Sequence, residues 1–387
     1  MTHPVQKPTF CEFFAGGGMA RLGLGEDWRC VFANEWSEQK ATAYRAMFGP
    51  SPELHVEDVA RVKPVLIPER PTLVWGSFPC QDLSLAGNGA GLSGERSGTF
   101  KPFWRLVKQL AARGRQPSLV ALENVVGTLT SHNGSDFAYI CEELTRSGYR
   151  FGALVIDAIH FLPQSRPRLF IIGALPGALA ASGLAEAGPA APWHTRSLIE
   201  AYGKISAKAQ RNWVWWRLPI PGARRSDLED LIEYSPTGVE WHTPEQTVRL
   251  LGMMSDVNRE KVAEVQASGE RRVGTLYRRT RPDSESGTKV QRAEVRFDGV
   301  AGCLRTPAGG SSRQTIIEVN GDSIRTRLLS PREAARLMGV PDSSPIPANY
   351  NEAYHLFGDG LAVPVVGWLS RHLLFRLSGH TAITEAA

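Results

Sequence analysis

Cysteine is scarce and scattered in this chain of 387 residues: Cys11, Cys30, Cys80, Cys141 and Cys303 lie far apart and form no CxxC pair. An odd, dispersed set argues against a disulfide framework and against a cysteine-held zinc site, so no metal is expected. Long apolar runs are missing too. The longest, residues 169–181, is broken by Gly173, Pro176 and Gly177, short of the roughly 18 apolar residues a membrane span requires. The opening MTHPVQKPTF lacks the charged and apolar regions of a secretory signal. A cytoplasmic protein without membrane contact is expected. No internal repeat is evident.

The chain is 42% hydrophobic and 21% charged, and its length suits two domains of roughly 100–200 residues each. The net charge of +5 is unevenly spread. Residues 193–327 hold 22 Lys and Arg against 17 Asp and Glu, which accounts for the whole excess. A basic segment of this kind suits a polyanionic partner, or equally a solvated surface.

The first 175 residues alternate short apolar runs with helical patterns. Residues 9–15, 30–34, 73–77, 119–123, 152–159 and 168–174 read as buried strands, with helices over 38–47, 103–113 and 136–147. Such alternation predicts an α/β fold with a mostly parallel sheet, whose ligands bind beyond the carboxyl ends of the strands. The Ala-, Gly- and Pro-rich stretch 173–192 reads as a domain boundary. Beyond it, to about residue 326, periodicity is irregular, arginines abound, and Trp213, Trp215, Trp216 and Trp241 cluster, more as core than as ligand contacts. Regularity returns near Arg327: Ser330-Pro331-Arg332-Glu333 is a capping box with proline at the first helical position, and 363–377 reads as an apolar helix. The expected division is 1–175, then 176–326, then a return to the first domain over 327–387.

Four local patterns carry chemistry. Phe13-Phe14-Ala15-Gly16-Gly17-Gly18 ends the first strand in glycines that let backbone approach a nucleotide-like group. Glu35, 19 residues after Gly16, could hold ribose hydroxyls. Arg21 stands where the third glycine of a dinucleotide fingerprint would fall, and an ordinary tight turn is the simpler alternative. Gly76-Ser77-Phe78-Pro79-Cys80-Gln81 ends another strand and opens a loop, residues 81–98, with five glycines; it is suited to a lid or to a plain linker. Glu123-Asn124-Val125 follows a third strand. Gln164-Ser165-Arg166-Pro167-Arg168 precedes a fourth, and alternate residues of an extended segment share a face, so Arg166 and Arg168 could converge on one ligand.

Taken in order with RLLSPREAARLMG and GDGLAVPVV near the end, these patterns resemble the DNA cytosine-C5 methyltransferase family of the bacterial restriction-modification type, over about residues 9–173 and 327–377. The resemblance implies a Rossmann-like AdoMet-dependent methyltransferase domain plus a smaller, irregular target-recognition domain. It implies methyl transfer from S-adenosyl-L-methionine, giving S-adenosyl-L-homocysteine, to C5 of a cytosine flipped out of double-stranded DNA. Cys80 is then the nucleophile at C6, since a thiolate there makes C5 enamine-like. Glu123 is the acid near N3, a task for a carboxyl of raised pKa. Arg166 and Arg168 are the paired arginines, with Arg168 beside the base and its O2.

The residues matching the family's cofactor pocket are Phe14, Gly16, Gly18, Glu35, Trp36, Asp58, Val59, Pro79, Phe100 and Asp359, with Trp36 on the adenine and Asp58 at its amine. Asp359 stands where the family more often has Asn. Gln81 and Ser84 on the lid, Thr306, and the cluster Arg271, Arg272, Tyr277, Arg278, Arg279 and Arg281 are the DNA-contact candidates. Their phosphate contacts would offset the few kcal/mol of unstacking that base flipping demands. The expected partners are duplex DNA and a cognate restriction endonuclease acting separately, with the enzyme itself a monomer. The alternatives are an RNA cytosine-C5 methyltransferase of the same fold, a catalytically inert DNA-binding relative, and, from the glycine turn alone, a nicotinamide oxidoreductase.

Overall fold

Strands buried on both faces of a parallel sheet read as unbroken apolar runs rather than alternating ones, and TFCEF, LVWG and LVALENV are of that kind. In the computed structural model, which describes residues 7–79, 99–180, 183–282, 287–305 and 313–380, these runs form the middle of a seven-stranded sheet. Its strands are β1 (Thr9–Phe13), β2 (Arg29–Glu35), β3 (Leu54–Val56), β4 (Leu73–Gly76), β5 (Leu119–Val125), β6 (Arg150–Asp157) and β7 (Pro167–Ala174), in the order β3-β2-β1-β4-β5-β7-β6. All neighbours are parallel except β7, which runs antiparallel to both β5 and β6. The mostly parallel sheet is therefore present, with one reversed strand that the apolar pattern could not orient.

Two helices show why the chain folds back on this sheet. Over α1 (Phe100–Ala112), Phe100, Phe103, Trp104, Leu106, Val107 and Leu110 recur at helical spacing and are all buried. α2 (Ser135–Arg146) buries Phe137, Ile140, Cys141 and Leu144 in the same core. The apolar C-terminal segment forms a helix over Val363–Leu369, a π turn over Ser370–Leu374 and a last helical turn over Phe375–Leu377.

Packing divides the chain into two units. The first comprises Met1–Asp157, Pro167–Pro221 and Val363–Ala387; the second comprises Ala158–Arg166 and Gly222–Ala362. The polypeptide after the Ala/Gly/Pro stretch thus stays with the first unit as far as Pro221. Tryptophans hold it there: Trp213 and Trp215 join the sheet's core, and buried Trp216 donates from Nε1 to Ile172 O (3.2 Å).

The second unit has its own antiparallel sheet. Strands Arg272–Pro282, Lys289–Arg296, Thr315–Asn320 and Ser323–Leu328 follow one another in space with the second at the edge beside the first. One face packs Leu276, Ala293, Val295, Ile317 and Val319 on Met254 and Val262. The capping box at Ser330 opens a helix over Pro331–Leu337, with the Ser330 hydroxyl accepting from Glu333 N–H (3.1 Å). Among the described residues no helix is long and apolar enough to cross a membrane.

Candidate active site

The order of the sheet says where to look. Strands leave β1 on one side toward β2 and β3, and on the other toward β4 and β5. In open α/β sheets the crevice at such a reversal, beyond the carboxyl ends of the strands, is where ligands bind. The glycine turn follows β1 at that end, and the Ser77-Phe78-Pro79 segment follows β4. Their backbones meet where Ser77 N–H donates to Phe13 O (3.4 Å).

The turn after β1 is built for close approach. Phe14 (φ 59°), Gly16 (φ 57°) and Gly18 (φ 78°) all have left-handed backbones, a conformation that carries strain at a phenylalanine and clusters at functional sites. A Cβ on Gly18 would strike the Phe48 ring, whereas a Cβ on Gly16 would meet nothing within 4 Å. Gly16 therefore presents open backbone.

Buried Glu35, at the end of β2, organises the turn: its Oε2 accepts from Gly16 N–H (2.8 Å), and its Oε1 from Trp36 N–H (3.0 Å) and Ser37 N–H (2.9 Å). A carboxylate has about four acceptor positions, so one remains for a ligand hydroxyl. Beside it the Trp36 side chain is 75% exposed, a large aromatic face with no core to fill. Asp58, just past β3, is exposed and caps Ala60 N–H through Oδ1 (2.8 Å), while Val59 is buried. This loop is tied to β2 by Asn34, whose Nδ2 donates to Glu57 O (2.8 Å) and His55 O (3.3 Å). Asn34 precedes Glu35 and Trp36 directly, and sequence reasoning passed over it.

Phe100 departs from expectation. It lies wholly in the core, stacked on Trp104 and against Phe78, with no part of its side chain exposed. The exposed Trp36, the open glycine turn, Glu35 and Asp58 form a donor and acceptor set that fits a nucleoside without a pyrophosphate. Arg21 fits that reading too: in place of a third glycine it binds the Tyr44 hydroxyl (3.0 Å) and Glu53.

Glu123 and Arg168 stand at the same end of the sheet. Because β7 is antiparallel to β5, its first residues lie beside the last of β5, with Arg168 opposite Val125 and Phe170 opposite Glu123. Glu123 and Arg168 are diagonal neighbours on one face, and Arg168 Nε reaches Glu123 Oε1 at 3.3 Å. Asn124, on the opposite face, donates from Nδ2 to Phe78 O (3.2 Å) and so fixes the backbone two residues before Cys80. Cys80, Gln81 and Ser84 lie outside the described residues. Burial pushes the thiols of Cys11 and Cys141 well up, and that of Cys30 up to about 12. Such thiols are poor nucleophiles.

Arg166 belongs to the second unit, and its guanidinium turns inward. It donates through Nη1 to Leu304 O (3.0 Å) and through Nη2 to Gly358 O (2.9 Å) and Gly360 O (2.7 Å). It thus holds the C-terminal end of the helix Tyr350–Asp359, where exposed Asp359 sits, and its buried guanidinium faces backbone carbonyls. Buried Gln164 works alongside, donating to Leu337 O (2.6 Å) and accepting from Leu304 N–H (3.3 Å). Thr306, two residues beyond Leu304, is outside the described residues.

The arginine cluster proves heterogeneous. Arg271 is bound to Glu229 and Glu318, and Arg272 to Glu270 (2.6 Å). Tyr277 donates to Glu294 (2.7 Å), which also accepts from Arg281 (2.8 Å), and Arg279 lies over the Tyr277 ring. Arg278 is exposed on the other face of the strand. Among the described residues no three His, Cys, Asp or Glu side chains converge as metal ligands would.

The fold and site together define an α/β methyltransferase. The family described as C-5 cytosine-specific DNA methylase matches residues 8–374. The chain is 28% identical to Type II methyltransferase M.BsuFI of Bacillus subtilis, covering 93% of this chain and 71% of the relative. It is 25% identical to M.HhaI of Haemophilus parahaemolyticus, covering 94% and 93%. Among solved structures, the Entamoeba histolytica methyltransferase EhMeth shares the fold with a TM-score of 0.59 at 12% identity, covering 94% of this chain and 97% of that one. The protein belongs to the C-5 cytosine-specific DNA methylase family, and its activity is methylation of cytosine C5 in DNA.

Proposed function

We propose that the chain methylates a specific duplex sequence through a covalent Cys80 adduct on a flipped cytosine, with S-adenosyl-L-methionine as donor. The observation that carries this reading is the Glu123–Arg168 pair at the sheet end where Asn124 holds the Phe78 carbonyl, two residues before Cys80 in the sequence. When bound, the cofactor supplies an electrophilic methyl group. Trp36 would cover its adenine, Asp58 accept from its amine, Glu35 hold a ribose hydroxyl, and Gly16 allow contact with the main chain. Phe14, Pro79 and Asp359 are the further candidates that the family resemblance supplies.

The Cys80 thiolate forms a bond to C6, and the ring electrons move to C5, which takes the methyl. Glu123 hydrogen-bonds at N3 and offsets the charge on the ring, while Arg168 holds O2. A base removes the C5 proton, the C5–C6 double bond re-forms and the thiolate leaves. The enzyme works in this reading as a cytoplasmic monomer, with a separate endonuclease reading the same sequence.

The test is incubation with duplex DNA carrying 5-fluorocytosine and labelled cofactor. Fluorine cannot leave as a proton does, so a covalent protein–DNA adduct is expected, lost in Cys80→Ala. Methylation of ordinary duplex without any trapped adduct would overturn the covalent route. Methylation of tRNA but of no duplex would overturn the substrate.

A further inference from the structure

The second unit's sheet ends unevenly. Strand Arg272–Pro282 is accompanied by Thr315–Asn320 only as far as Leu276, but by Lys289–Arg296 along Thr275–Pro282. Beyond Leu276 no third strand accompanies them among the described residues, and the two continue for six residue pairs, from Tyr277 opposite Glu294 to Pro282 opposite Lys289, a ribbon about 20 Å long at roughly 3.4 Å per residue. A two-stranded ribbon is at best marginally stable on its own in water, and this one is braced at its root. Ala293 N–H donates to Met253 O (3.0 Å) and Val295 N–H to Asn258 Oδ1 (3.0 Å), along the outer edge. On one face Glu294 gathers the Tyr277 hydroxyl and Arg281. Past that root the side chains of residues 278–282, Lys289 and Gln291 are exposed.

The described ribbon carries Arg278, Arg279, Arg281, Lys289 and Arg292 against Glu294 as its one acid. Its two faces differ. Arg279, Arg281 and Arg292 share the face of Glu294, whereas Thr280 and Gln291 stand directly opposite each other on the other face, with Arg278 and Lys289 to either side. A major groove about 12 Å wide admits a two-stranded ribbon, and Gln and Thr suit base edges where Arg and Lys suit phosphates. Resting on the reading of the chain as a duplex-DNA methyltransferase, we infer that this ribbon enters the major groove, with Thr280 and Gln291 reading base edges and the flanking cations on phosphates.

The test maps methylated positions across a random-sequence duplex library for the full chain and its variants. Thr280→Ala and Gln291→Ala, singly and together, are expected to relax preference at one or two positions by roughly 10- to 100-fold, on the scale of one bidentate base contact. Their melting temperature should stay within a few degrees of the parent, and their rate on the least-preferred sequences within a few-fold, so that the loss falls on the preferred site alone. Arg279→Gln and Arg292→Gln are expected to weaken all sequences alike and to flatten the salt slope by about one unit each. A double Thr280/Gln291 variant with the parent's sequence preference would overturn the ribbon as reader while leaving the enzyme's activity established. A parent that methylates no duplex would overturn the underlying reading and this one with it.

Discussion

Arg168 reaches Glu123 diagonally across the antiparallel seam between β5 and β7, Nε to Oε1 at 3.3 Å. Only a reversed strand achieves this: a parallel β7 would begin at the far end of β5 and leave the two side chains a strand's length apart. Glu123→Gln keeps the shape and removes the charge. Turnover is expected to fall by roughly 10²- to 10⁴-fold, the usual scale for a positioned acid–base group, with cofactor affinity changed less than two-fold. Single-turnover methyl transfer alongside calorimetric cofactor binding checks this, and an unchanged rate would remove Glu123 from the chemistry.

Asn124 tests the turn rather than the reacting groups. Its Nδ2 bond to Phe78 O lies between β5 and the segment leading to Cys80. Truncation leaves a buried carbonyl unsatisfied, at about 1–3 kcal/mol. Asn124→Ala should slow adduct formation on 5-fluorocytosine duplex by about ten-fold or more while cofactor affinity holds. Equal loss of both would mean that the turn serves the whole crevice.

Much of this was legible in the sequence because central parallel strands advertise themselves as apolar runs, and glycine turns and carboxylates follow their ends. The six strands and the capping box at Ser330 needed only local patterns. What local patterns could not supply were directions and destinations. Nothing in PRLFIIGA states that the strand runs antiparallel. Trp213 and Trp215 look like features of an irregular basic segment until their rings are found in the first unit's core. Arg166 and Arg168 differ by two positions, yet one clamps backbone carbonyls in the second unit and the other faces Glu123. Asn34 and Asn124 work through main-chain bonds to loops distant in sequence, which spacing does not encode.

Glu12, in the middle of β1, predicts a pH dependence. Burial pushes its carboxyl from 4.5 up to about 8, against the pull of Arg21 and with Glu35 adding repulsion. Its Oε2 has no hydrogen-bond partner among the described residues. Cys30 and Tyr44, raised by the same burial, face it with Arg21. Between about pH 4.5 and 8 the folded chain therefore holds a proton that the unfolded chain has lost, so this group's contribution to stability declines as pH rises through that window. At about 1.4 kcal/mol per unit the decline amounts to a few kcal/mol at most. Glu12→Gln should be more stable than the parent at pH 8.5 in urea unfolding and closer to it at pH 5. Parallel pH profiles for the two proteins would mean that Glu12 holds no extra proton in the fold.

The second unit turns on a different buried acid. Glu333 and Arg327 are both fully buried and joined by two bonds, Nη1 to Oε2 (2.8 Å) and Nη2 to Oε1 (2.6 Å). Ser330 N–H and Glu233 N–H add one bond each, both 2.7 Å, so the four acceptor positions of the carboxylate are filled. Arg327 in turn donates to Glu233 O (2.9 Å) and lies over the Trp241 ring. Breaking such a pair from one side strands a buried charge and costs about 3–5 kcal/mol, whereas replacing both partners with apolar groups of similar volume is often neutral. Glu333→Ala should therefore lower the urea midpoint steeply, by more than loss of the helix cap alone, about 1 kcal/mol, would do. The double change Arg327→Met with Glu333→Leu should recover part of that loss. If the double variant is as unstable as the sum of its single changes, the network holds the unit through its bonds to Ser330 and Glu233 rather than through the ion pair. Sequence preference in the double variant then distinguishes a unit that merely folds from one that still presents its ribbon to DNA.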